Sequence, residues 1–143
     1  MSNETENKDQ PVKAEMEAFF TADNAEQGVE MPLALNGKPS AEFLIVRGAD
    51  SKTFKRAKSV TDRKNLDLMR DLSAKKIDQA QLAVKQAQLE VELIKSLVVG
   101  WSFDIEFNDT NLTRFFKNAP YIPDVVNGFA GQREHFFSKP SSD

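Results

Sequence analysis

The chain has no cysteine and a single histidine among 143 residues, and that scarcity removes most site chemistry at once. Without cysteine there is no disulfide, thiol nucleophile or cysteine-ligated zinc, and His135 alone cannot form a histidine-rich metal site. His135 stands beside Glu134 with no nucleophile near it in sequence, which reads as a surface residue rather than a general base. Gly-rich phosphate-binding loops are missing too. No catalytic residue, metal or cofactor is assigned, and an enzyme is not expected. Nothing approaches the apolar run of roughly 18 residues that a membrane span needs. The opening MSNETENKDQ is acidic and polar where a signal peptide is basic and then apolar. The expectation is a soluble, cytoplasmic protein with no membrane partner.

What is present begins with an uneven charge. The net −3 hides a segment, residues 1–30, with eight acids and two bases, a local −6, and another, residues 51–76, with nine bases and three acids, a local +6. Such blocks attract one another or each meet a partner. The basic block carries no aromatic residue after Phe54 to stack on a base, and no groove-reading motif accompanies it, so nucleic acid is set aside as a partner in favour of a solvated helix face.

The length suits one domain with a real core. Residues 1–28 are acidic and poor in apolar residues apart from MEAFF, a composition that predicts a disordered arm with at most a helical turn near Phe19 and Phe20. Val29 to Leu35, Asn36-Gly37-Lys38-Pro39 and Ala41 to Arg47 read as strand, turn and strand. After Gly48, either Asp50 or Ser51 suits the N-cap of a helix. On that helix Phe54, Ala57, Thr61, Leu68 and Leu72 share a face, Lys52, Arg56, Arg63 and Arg70 form a basic stripe, and Val60-Thr61-Asp62 marks a break or bend. Ala74 to Val99 predicts the clearest helix, long and central, with an a/d seam of Ile77, Ala80, Val84, Ala87, Val91, Ile94 and Val98. A second apolar line, Leu82, Gln86, Leu89, Leu93 and Leu97, lies on another side. Two sides require two neighbours, which leaves a homo-oligomer open.

Gly100 is read as the residue that ends this helix in a left-handed conformation. Trp101, Phe103, Ile105 and Phe107 then alternate as one side of a strand, with Asp104 and Glu106 on the solvated side. Asn108 suits the cap of a short helix from Asp109 to Asn118, which Pro120 ends. Pro123 opens a final helix that carries Val125, Val126, Phe129, Arg133, Phe136 and Phe137. Residues 29–137 are thus expected as a single predominantly helical α+β domain: N-terminal β-hairpin, long central helix, short C-terminal helices. SKPSSD, residues 138–143, is expected as a flexible tail.

Nine of the thirteen aromatic residues lie at or after Trp101, and most of these rings are expected in the core. Two adjacent pairs resist that assignment. Phe115-Phe116 and Phe136-Phe137 point about 100° apart on a helix, so a small domain has difficulty burying both members. One ring of each is a candidate for a partner groove.

Several segments together resemble the tail assembly chaperones of long-tailed bacteriophages. These are FLIVRG with Ala49-Asp50-Ser51, Leu97-Val98-Val99-Gly100-Trp101, Phe107-Asn108-Asp109-Thr110-Asn111, Asn118-Ala119-Pro120 and Arg133-Glu134-His135-Phe136-Phe137. The chain departs from similar proteins in its short link between Trp101 and Phe107, where they often carry a longer insertion. The resemblance implies a non-catalytic protein of the host cytoplasm that binds the tape measure protein, keeps it soluble, helps the tail tube assemble, and is absent from the finished virion. It also implies that a frameshifted, longer form recruits the tail tube protein. Candidate partner-binding residues are Trp101, Phe107, Phe115, Phe116, Phe129, Phe136 and Phe137, foremost Trp101, Phe116, Phe129 and Phe137, with the core as the alternative place for Trp101. Candidate turn and cap residues are Gly48, Asp50, Ser51, Gly100 and Asn108. The alternative reading is a small structural head or tail-completion protein of the virion. A third is a small RNA-binding regulator using the stripe from Lys52 to Lys76.

Overall fold

A computed structural model of the chain describes residues 10–138. Strands β1 (Val29–Leu35) and β2 (Lys38–Val46) form the expected hairpin. Its turn places Asn36 at φ 52° and Gly37 at φ 78°, the left-handed pair that matches the twist of two-residue hairpins. Strand β3 (Val98–Trp101) adds antiparallel to the other edge of β2, giving the order β1-β2-β3. A lone two-stranded hairpin is marginal in water, and β3 supplies the neighbour that this one needs.

Among the described residues five α-helices surround or extend this sheet: α1 (Ala22–Gln27), α2 (Lys52–Ser73), α3 (Gln79–Lys95), α4 (Asp109–Asn118) and α5 (Ile122–Ala130). The class is the expected predominantly helical α+β. Met31, Leu44 and Val46 place one sheet face against Leu93, Ile94, Leu97, Leu112, Phe116, Ile122 and Val126, which together form the core. Met31 pairs with Leu44, and Leu44 and Val46, two apart, point to the same side, as the strand period requires.

Ser51 is the cap of α2, its hydroxyl accepting from the Phe54 amide at 3.1 Å. Asp50 instead binds Arg133 with both carboxylate oxygens at 3.0 Å. Gly48 is required by space: a Cβ there would lie 2.9 Å from Cβ of Ala25 and 3.3 Å from the Phe136 ring.

Several expectations are corrected. The stretch read as an arm includes α1, with Ala25 only 1% exposed and its carbonyl accepting from Gly48 N at 2.9 Å. The part of that arm before residue 10 and the tail after Ser138 lie outside the described residues. Helix α2 runs unbroken through Val60-Thr61-Asp62, because Thr61 is buried and held by packing that overrides its weak propensity.

The helix expected from Ala74 to Val99 is shorter at both ends. Lys75 adopts φ 61°, turning the chain back, and Asp78 starts α3 with a reciprocal capping box to Gln81 at 2.8 and 2.9 Å. At the other end α3 stops at Lys95. Leu97 O accepts from Arg47 N at 2.6 Å, and Val98 enters the sheet because the open edge of β2 offers it partners. Gly100 consequently pairs with Ile45 inside β3 and caps no helix. The expected strand from Trp101 to Phe107 retains only its first residue, since the chain bends from Ser102 onward. The final helix ends at Ala130, and Arg133–Phe136 forms a separate 3-10 turn.

Helices α2 and α3 form an antiparallel hairpin. Its contact side uses Leu82, Leu89 and Leu93, the second apolar line, against Thr61, Leu68 and Leu72. Ala80, Val84 and Ala87 of the expected seam are exposed.

Candidate functional site

The alternation after Gly100 is spent on a loop folded around one ring. Trp101 Nε1 donates to the carbonyl of Ile105 at 2.9 Å, so residues 102–105 curl over the indole. Ser102 holds the start of the loop, its hydroxyl accepting from Phe43 N at 2.8 Å and donating to Glu42 Oε1 at 2.8 Å. At the other end Asn108 caps α4 as expected, accepting from Asn111 N at 2.8 Å. Asn111 reaches back to donate from Nδ2 to Glu106 O at 2.8 Å. A short loop tied at both ends presents its rings at fixed angles.

Those rings meet edge to face. Trp101 lies 5.3 Å from Phe103, 5.0 Å from Phe107 and 6.1 Å from Phe115, and Phe103 lies 5.3 Å from Phe115. Such pairs add about 0.5–1.5 kcal/mol beyond their burial. Beside them opens a cleft of about 480 Å³, with Trp101, Phe103, Ile105 and Phe115 as apolar lining and Asn111, Arg114 and Asn118 as its polar side. Its volume falls within the roughly 300–1,000 Å³ of binding pockets.

The α4 wall is anchored from below. Lys95 Nζ donates to Glu92 at 3.0 Å and to Thr113 Oγ1 at 2.9 Å, and it also pairs with Asp109 at the start of α4. Burial pulls the ammonium pKa down, but the hydrogen bonds it donates to the Asp109 and Glu92 carboxylates outweigh that and leave the value raised. The charge locks the end of α3 to α4, whose N-terminus favours the Asp109 carboxylate.

Among the sequence-derived candidates, Trp101, Phe107 and Phe115 come together in this cluster. Phe116 does not line the cleft: it is 4% exposed and belongs to the core. Phe136 is likewise buried, against Gly48, while Phe137 is 40% exposed. Phe129 stacks flat on His135 at 3.9 Å. These last rings sit beyond the C-terminal end of β2, and none of them lines the Trp101 cleft. One ring of each adjacent pair is buried and its neighbour is not, as helical geometry requires of Phe115-Phe116. Sequence reasoning missed Phe103, Ile105, Asn111, Arg114 and Asn118 as cleft residues. The first two lay in the alternation already noticed, but Asn111, Arg114 and Asn118, spaced at three and four, look like any solvated helix face.

Elements from α1 to α5 coincide with the span matched by a protein-family model described as phage tail assembly chaperone, residues 23–130, about three quarters of the chain. No curated protein and no solved structure matches. With a match of that extent, the chain belongs to the phage tail assembly chaperone family.

Proposed function

We propose that the protein receives apolar helical segments of the tape measure protein in the Trp101 cleft, keeps that long protein soluble and promotes assembly of tail tube subunits around it. The observation that carries the reading is an open aromatic lining in a chain of this family. An amphipathic helix binds by laying apolar anchors into such a groove. Trp101, Phe103, Ile105 and Phe115 offer the apolar surface, and Asn111, Arg114 and Asn118 meet the flanking polar residues of the guest. Rings already braced edge to edge lose little freedom on binding, which favours affinity. The role is non-catalytic and belongs to the host cytoplasm during infection, with the protein absent from the finished virion. A frameshift-extended form would bring in the tail tube protein as a second partner.

Co-expression with the tape measure protein tests this. The tape measure protein should become soluble and co-purify, and Ile105→Asp, at a cleft residue 44% exposed, should abolish rescue without changing the circular dichroism spectrum or Tm. An insoluble partner beside a lone 16.1 kDa species would sink the reading. Mass spectrometry of purified particles should find no copy of the chain; a stoichiometric copy would instead make it a structural head or tail-completion protein.

A further inference from the structure

The cleft leaves unused the two opposite charge blocks and the exposed apolar residues within them. We propose that the acidic segment Val12–Phe20 docks, within its own chain, on the outward face of α2. This goes beyond the chaperone reading and does not depend on it.

The segment has the chemistry of a helix without a partner. Val12, Met16 and Phe19 follow one another at spacings of four and three, one face of a helix, with Phe20 beside them. Pro11 suits a first helical turn. Yet only Met16–Phe19 forms a 3-10 turn with nothing buried, and Val12 and Phe19 are 87% and 67% exposed. Glu15 and Glu17 lie among these anchors, and residues 1–30 carry the local −6.

The receiving face has the complementary chemistry. Arg56, Arg63 and Arg70 run along α2 away from α3, with Val60 and Leu66 on either side of Arg63. Leu66 is 60% exposed. Among the described residues Arg70 meets Asp67 at 3.4 Å, and no ion pair engages Arg56, Arg63 or Lys64. Unlike charges aligned with apolar residues on both partners give attraction and register together.

The tether permits it. The carboxylate of Glu26 in α1 accepts from Thr53 N at 3.2 Å and from the Thr53 hydroxyl, so the six-residue helix from whose other end the segment leaves is fixed to the start of α2. As a helix Val12–Phe20 is about 12 Å long, which matches the roughly 11 Å that separate Arg56 from Arg63 along α2. A short tether gives an effective concentration in the millimolar range, which favours the segment of the same chain over that of another copy. Docked, it would cover the basic face and shield it from adventitious anions.

The absence of cysteine makes the test clean, because Ser59→Cys provides a single attachment point for a nitroxide on the exposed face of α2. In the full chain at about 0.02 M salt, amide signals of residues 12–20 should lose most of their intensity and recover near 0.5 M, where charges are screened within a few ångströms. Arg56→Glu with Arg63→Glu should abolish the loss, and adding Glu15→Lys with Glu17→Lys to that variant should restore it. Undisturbed signals at low salt overturn the proposal, as does broadening that survives salt and charge reversal. Mixing nitroxide-labelled, isotope-free chains with isotope-labelled, nitroxide-free ones should leave the signals sharp; broadening there assigns the contact to a second copy and overturns docking within the chain.

Discussion

Phe116 packs with Leu112 in the core while Phe115, one residue earlier, turns its ring to Trp101 and Phe103 at the cleft. Truncating a buried Phe leaves a cavity as well as losing transfer free energy. Phe116→Ala should therefore lower the unfolding free energy by about 3–5 kcal/mol, read as a fall in the urea midpoint with little change in slope. Phe137→Ala, at an exposed ring, should stay within about 0.5 kcal/mol. Equal losses would mean that both rings are core. The adjacency was legible in sequence, including that one ring of each pair would stay outside. Which ring was not, because a helical turn fixes the angle between neighbours but not the direction of the sheet they pack against.

The hairpin of α2 and α3 is decided by two residues at its turn. Lys75 holds a left-handed φ of 61°, which costs a side-chain-bearing residue more than glycine. Lys75→Gly should stabilise the chain by a few tenths of a kcal/mol up to about 1 kcal/mol, and Asp78→Ala, which removes the capping box, should cost about 1 kcal/mol. Thermal unfolding of the two variants should shift in opposite directions; a shift in the same direction would deny the turn its role. The β-hairpin was readable because Asn-Gly between apolar runs has one favoured geometry. The α2 to α3 turn was hidden, since AKKID contains neither Gly nor Pro and its residues are ordinary helix formers. β3 was displaced for a related reason: Leu97-Val98-Val99 continues a helical pattern, and only the free edge of β2 turns it into strand.

At the scale of the whole molecule, hydrogen-bonded charged side chains close the chain on itself. Glu26 joins α1 to α2, Asp50 joins the entry of α2 to Arg133, and Lys95 joins α3 to α4. The Thr53 hydroxyl holds the Glu26 carboxyl below its ordinary 4.5, and the Arg133 hydrogen bond holds Asp50 below its ordinary 3.8. A depressed carboxyl contributes stability that is full above its unfolded value and lost as pH falls through the folded one. Lys95, raised above 10.5, contributes stability that is full below that value and lost as pH rises past it. The unfolding free energy should thus decline below about pH 4.5 and again above about pH 10.5, with Asp50→Asn flattening part of the acid limb and Lys95→Met the alkaline limb. Denaturant titrations across pH measure both, and unchanged limbs in the variants would remove these groups as the cause.

The sequence by itself determined the class of the fold, the β-hairpin, the Asn108 cap, the charge blocks and the resemblance to a family. The hairpin and the cap are written within a few consecutive residues, where spacing and local hydrogen bonding suffice, and the rest in composition and in the order of segments along the chain. The tertiary structure alone decided which line of α3 packs on α2, that Val98 to Trp101 completes the sheet, and which rings share a cleft. Those outcomes depend on contacts between residues as distant as Phe43 and Ser102, for which no local pattern carries a signal.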